Sequence, residues 1–257
     1  MLATTVSAAV ALMIALPIVL AWTLVRRLGT PASLLLVGAL TFLAAQALRI
    51  PLLQTLILPA GEQAAANPLY AAILNVAILA LTAGLFEEGA RYFAYRHVIP
   101  KARTWNDAVT FGAGHGGMEA IILGALMGAE LVGMLALGMP ATTSRPGQSP
   151  EVHSLAEEAA RYWATPAYVP LFGALERVFA MCFHMALAVV VLMAVVRRSL
   201  LWLVAAIGAH AAANAAGIAA LAAYGPVAAE IVVGLIAAIA LYVLFRLRDQ
   251  ASFETPH

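Results

Sequence analysis

Cysteine is nearly absent: Cys182 stands alone in 257 residues. One thiol excludes a disulfide framework and a thiolate metal site. In its apolar run it reads as a small buried hydrophobe. Charge is scarce too, at 11% of residues, where a soluble domain carries about 25%. No basic tract suits a nucleic acid, and a net charge of +1 singles out no partner. No Lys or Arg precedes the first apolar run near Val6. We therefore expect that run to stay as a membrane span and not to leave as a signal peptide.

Apolar residues fill the space that charge leaves. They make up 63% of the chain, and the mean hydropathy is +0.93. A span needs roughly 20 apolar residues. Seven segments qualify, at about 5–25, 32–49, 69–97, 106–138, 167–196, 200–223 and 226–246. Only helices or closed barrels satisfy their backbone in lipid, and Ala/Leu-rich runs favour helices. The expected fold is all-α: one membrane domain over 1–257, a polytopic bundle of about seven transmembrane helices. Residues 5–66 form accessory spans 1 and 2, 69–223 a core of spans 3 to 6, and 226–257 span 7 and a tail. Alternating the loops gathers Arg26, Arg27, Arg91, Arg96, Lys101, Arg103, Arg197, Arg198, Arg246 and Arg248 on one side, against Arg49, Arg145, Arg161 and Arg177 on the other. The basic side is expected inside. That puts the N-terminus outside and the C-terminus in the cytoplasm. The long loop, 139–166, opens with Pro, Gly and Ser and closes as a short amphipathic helix, "SPEVHSLAEEAARYWA". His153 reads there as a solvated residue.

Ionisable groups inside spans are costly and mark functional sites. Here they are Glu87, Glu88 and Arg91 in span 3, and His115, Glu119 and Glu130 in span 4. Span 5 adds Glu176, Arg177 and His184, span 6 His210 and Asn214, and span 7 Glu230. Spans 1 and 2 carry almost nothing of the kind. Depth sharpens the list. Glu88 precedes the turn at Lys101 by 13 residues and His115 follows it by 14, while His184 precedes the turn at Arg198 by 14 and His210 follows it by 12. At about 1.5 Å per residue these four share one layer. Register adds to it. His115 and Glu119 share a helix face, as do His210 and Asn214. Arg91 can pair with one of Glu87 and Glu88 and leave the other free. Small residues at Gly112/Gly116, Gly124/Gly128 and Gly208/Ala212/Ala216 should let helices approach closely.

A carboxylate with two or three imidazoles in an apolar site can bind and activate water. A further His and an Asn amide can donate to a developing oxyanion. The same set could hold Zn²⁺ and its water. Both arrangements predict hydrolysis, of a peptide bond above all.

"EEGAR" at 87–91, "FGAGH" at 111–115 and "HAAAN" at 210–214 resemble the three motifs of the CAAX prenyl endopeptidase and bacteriocin-processing superfamily of intramembrane proteases. "HGGME" at 115–119 is similar to the PrsW and YhfC branches, and His184 and the seven spans look most like a YhfC-type membrane peptidase. The resemblance covers about 80–220. It implies Glu87 or Glu88 as the water-activating base, helped by His115. It also implies His210 and Asn214 as the oxyanion site, and Arg91 and Glu119 as positioning groups. In the zinc version His115, His184, His210 and Glu119 would be the metal ligands. Two residues, not three, separate the glutamate pair from the basic residue, which leaves the working glutamate open. Members act as glutamic or as metallopeptidases, so the mechanism stays open as well.

Other classes remain: a transporter or proton relay, a catalytically silent scaffold, or a bis-histidine haem site. A peptidase of this kind would take a membrane protein or a lipidated peptide within the lipid bilayer of a bacterial or archaeal cytoplasmic membrane. It would do so through an apolar cavity open toward the cytoplasm. Glu176 and Arg177 read as structural, and Glu130 and Glu230 as groups near the outer surface. Phe111 reads as packing, and Tyr92, Tyr95, Trp105 and Trp202 as interfacial anchors.

Overall fold

The computed structural model describes the backbone of residues 1–63, 68–137 and 150–250, and the side chains of 1–55, 73–137 and 153–250. Its described elements are helical: α1 (Leu2–Leu28), α2 (Ser33–Gln63), α3 (Pro68–Phe93), α4 (Trp105–Leu137), α5 (Pro150–Trp163), α6 (Val169–Val196), α7 (Leu201–Tyr224) and α8 (Pro226–Arg246). A short π-helical turn, Ala94–Val98, continues α3. Seven of these helices are long and apolar enough to cross a membrane. The expected all-α bundle of seven spans is what the chain forms. Span 2 is longer than expected, because the helix continues past Arg49 through Pro51. Of the 139–166 loop, 150–163 is helical as expected, and 138–149 lies outside the described residues.

Local chemistry sets the helix ends. α1 stops where Gly29 turns left-handed (φ 65°) and donates its N–H to Val25 O, a conformation glycine reaches without penalty. Gly225 separates α7 from α8 at another positive φ (82°), with ψ extended at −177°, and donates its N–H to Leu221 O. α4 opens with a capping box. Thr104 Oγ1 accepts from Asp107 N (3.1 Å), and Asp107 Oδ2 accepts from Thr104 N (3.0 Å).

α4, α2, α3, α7 and α8 form an arc in which each packs on the next. α6 fills the inside of the arc, and α1 covers the remaining side against α4 and α6. In lipid the apolar effect does not hold helices together, so packing must do so. Glycine supplies it. A Cβ on Gly38 would sit 2.1 Å from Phe111 O, and one on Gly114 would sit 2.2 Å from Leu35 O. α2 and α4 therefore touch backbone to backbone. Gly84 does the same for α3 against Ile207 O of α7 (2.6 Å). Gly112 and Gly116 face His184 of α6, and Gly124 and Gly128 face Met13 and Val10 of α1, as their spacing predicts. Gly208 does not follow: nothing described lies within 4 Å of its Cβ position. That small-residue stripe points outward, because α7 meets α3 through Gly84 instead.

The interior of the half nearest the turns at 98–104 and 197–200 is tightly packed, with a pocket of about 680 Å³ on its flank between α2 and α3, lined by Val37, Phe93, Ala94 and Val98 among others. Tyr95, Phe111, Val189, Leu192, Met193 and Ala206 are all buried in that interior. Two expected interfacial anchors belong to this core. Tyr95 lies against Phe111, with ring centroids 4.9 Å apart. Trp105 is buried and donates Nε1–H to Leu244 O of α8 (2.8 Å). Tyr92 and Trp202 sit further out, and each meets an arginine, Arg96 and Arg197.

Candidate functional site

Glu88 and Glu87 are consecutive, so they leave α3 about 100° apart. Glu88 follows Gly84 by one turn, and the close approach at Gly84 aims Glu88 at α7. It is fully buried there. Arg91 Nη1 donates to its two oxygens at 2.5 and 2.7 Å, and His210 Nδ1 lies 2.7 Å from Oε1. Glu87 turns into a cavity of about 400 Å³. Its Oε2 lies 3.1 Å from His115 Nε2, 3.9 Å from Arg91 Nη2 and 4.0 Å from His210 Nε2. Arg91 thus binds Glu88 directly and stands further off from Glu87, which turns to the cavity.

His184 touches the site from α6. Its Nδ1 is 2.7 Å from Arg91 Nη2 and its Nε2 is 2.6 Å from Glu119 Oε2. A guanidinium only donates, so Nδ1 accepts and the ring carries its proton on Nε2, toward Glu119. His210 is the reverse case. Its Nδ1–H donates to Glu88, which leaves the Nε2 lone pair on the cavity side. This is how a carboxylate orients a metal-binding imidazole from behind. His115 is fully buried, its Nδ1 has no partner, and its ring meets those of Phe42 and His184 at 5.3 Å. The layer deduced from depth is real: Glu87, Glu88, His115, His184 and His210 form one connected cluster.

Glu119 is drawn two ways, to His184 and to Arg177 Nη1 (2.7 Å). Arg177 thereby ties α6 to α4, and it also pairs with its neighbour Glu176 on α6. Asn214 lines the cavity one turn from His210. Glu230 lines it as well, one oxygen shielded from solvent and without a partner.

Sequence reasoning missed α2. Gln46 Nε2 donates to Glu87 Oε1 (3.0 Å), and Arg49 Nη1 donates to Gln46 Oε1 (3.2 Å). Arg49 is fixed in turn by Thr82 Oγ1 (3.2 Å) and Leu79 O (2.9 Å). The signal was present in the spacing. Phe42, Gln46 and Arg49 recur at i, i+4 and i+7, one helix face, and all three line the cavity. Arg49 stands at the end of the expected span 32–49 and counts there among the loop charges.

The cavity also corrects the expected entrance. Its lining residues lie on one side of the imidazole layer: Ala83 on α3, Ile122 on α4, Phe179 on α6, Leu221 on α7 and Glu230 on α8. In every case that is the side away from the basic turns. The cytoplasmic opening expected from the sequence is filled by the Tyr95–Phe111–Met193 core.

A divalent metal fits the donor set. Glu87, His115 and His184 offer ligand atoms within 4.8 Å of one another. Distance selects His184 as the third ligand. Its tautomer argues otherwise, since a ring accepting from Arg91 at Nδ1 could bind a metal at Nε2 only by giving up its remaining proton. His210, with Nδ1–H on Glu88 and Nε2 toward the cavity, suits the place better.

The architecture defines a class: a polytopic, integral membrane protein with an intramembrane carboxylate–imidazole centre. The chain belongs to the YhfC intramembrane metalloprotease family, whose model matches residues 12–244. It is 32% identical over 231 residues to the uncharacterized membrane protein YhfC of Bacillus subtilis (strain 168), covering 87% of each chain. No solved structure matches it.

Proposed function

We propose that this protein is an intramembrane metallopeptidase. The observation that carries the reading is Glu87: a carboxylate facing a cavity inside the bundle, with three imidazoles around it and a second carboxylate, Glu119, on the same wall. Glu87, His115 and His210 are the residues we assign to the metal. When bound, the ion lowers the pKa of a coordinated water and polarises a carbonyl oxygen. Glu119, held by His184 and Arg177, would orient the His184 ring at the edge of the site. Asn214 Nδ2 is the amide donor to the oxyanion. Glu88 and Arg91 act from behind. They fix the His210 ring and neutralise each other where water does not reach. The metal reading is favoured over metal-free glutamic chemistry by the family and by the free Nε2 of His210.

The substrate class is a membrane protein or lipidated peptide met in the bilayer, and the N-terminus lies outside. Mapping of new N-termini tests the activity in membranes that carry the wild-type chain or Glu87→Ala. The expected result is a set of membrane-protein cleavages present only with the wild type. Identical N-termini from the two would end the peptidase reading.

A further inference from the structure

The cavity that reaches Glu87 has one direction, and that direction selects the substrate. Lining residues extend from the imidazole layer toward the end of the bundle that carries the Tyr224–Gly225 turn. Toward the other end, Arg91, Tyr95, Phe111, Leu192 and Met193 are at most 1% exposed and leave no passage. That closed end bears Arg26, Arg27, Lys101, Arg103, Arg197 and Arg198. The positive-inside rule makes it cytoplasmic and the cavity end extracytoplasmic.

Size sets a second limit. A helix 10–12 Å across occupies roughly 400–600 Å³ per turn. The cavity, at about 400 Å³, holds no more than one turn, so a whole transmembrane helix does not enter. An unwound stretch does. Phe179, Phe183, Ile218, Val233 and Ile236 give it apolar walls, and Asn214 and Gln46 are the amides available to its backbone.

We propose that substrate enters from the extracytoplasmic side as an unwound segment of a membrane-anchored polypeptide. Cleavage then falls at the imidazole layer, reached from outside, and a chain end presented at the cytoplasmic face is not a substrate. The cleavage statement rests on the peptidase reading. The route itself does not.

The test uses the full chain in sealed vesicles of known orientation, with Cys182→Ala as background. Single cysteines replace Ala213 and Ala229, two cavity residues with no assigned role in the chemistry. Lys101→Cys and Arg27→Cys report the basic end. A membrane-impermeant maleimide is added to one face at a time. Ala213→Cys and Ala229→Cys should label only from the face where Lys101→Cys and Arg27→Cys do not. Labelling from the Lys101 face, alone or as well, or from neither face, overturns the route. None of this needs turnover. In active membranes, full modification of Ala213→Cys from the outer face should lower cleavage at least tenfold. Undiminished cleavage would reject the entry route and leave the catalytic reading standing.

Discussion

Gln46 of α2 donates a 3.0 Å hydrogen bond to Glu87 of α3, and Arg49 holds the amide that donates it. A hydrogen bond to a charged group is worth about 1.5–3 kcal/mol, so Gln46→Ala should lower kcat by about tenfold or more and change KM little. Arg49→Ala acts through the same amide, so the double variant should lose less than the product of the two single losses. Steady-state kinetics on all three variants checks this. A pure KM effect would mean that Gln46 contacts substrate and does not position Glu87.

Metal content separates the imidazoles. The purified protein should hold one divalent ion per chain, which Glu87→Ala, His115→Ala and His210→Ala lose and His184→Ala keeps while turnover falls. Elemental analysis of the five proteins decides it. A metal-free wild type that works in the presence of chelator would reject the metal assignment. Loss of the ion in His184→Ala but not in His210→Ala would reverse the choice of third ligand.

Arg91 is fully buried between Glu88 and His184. Its removal strands the Glu88 carboxylate, and breaking a buried pair in this way costs about 3–5 kcal/mol. Arg91→Leu should unfold at a clearly lower temperature in detergent. Arg91→Lys should not restore stability, because one ammonium does not offer the planar fork that spans both partners. Thermal unfolding followed by helix content measures both.

Asn214→Ala should leave unfolding unchanged and lower kcat by about 10²–10³, the usual loss for one oxyanion donor. A fall in stability of the same variant would make Asn214 a packing residue.

Two glycines make a matched pair. Gly38→Ala puts a methyl 2.1 Å from Phe111 O, a backbone atom with little room to retreat, and overpacking of this kind costs about 1–3 kcal/mol or more. Gly208→Ala meets nothing described within 4 Å and should be neutral or stabilising by about 0.4–1 kcal/mol. Equal effects would mean that α2 and α4 do not meet at Gly38.

Much of the site was legible because helix geometry is regular. Distance from a turn gave depth, and that put Glu88, His115, His184 and His210 in one layer. The i, i+4 register put Glu119 beside His115 and Asn214 beside His210. What failed was whatever depends on how a helix is rotated about its axis. Tyr95 and Trp105 have the composition of interfacial anchors, yet their helices turn them inward. Gly208 has the spacing of a packing glycine on a face that meets no helix. Gln46 is uncharged and Arg49 stands at the very end of the expected span 32–49, so neither stands out as an ionisable group inside it.

The sequence by itself determined that this chain lives in a membrane, that it crosses seven times, and which polar groups lie at one depth, because apolar length and the 1.5 Å rise are properties of a single helix. The tertiary structure alone decided that Glu87 faces the cavity while Glu88 is buried against Arg91, that α2 completes the site, and that the cavity opens away from the basic turns. Those outcomes depend on which faces meet, and the faces are chosen by close contacts between helices, at Gly38, Gly84 and Gly112, that no single segment encodes.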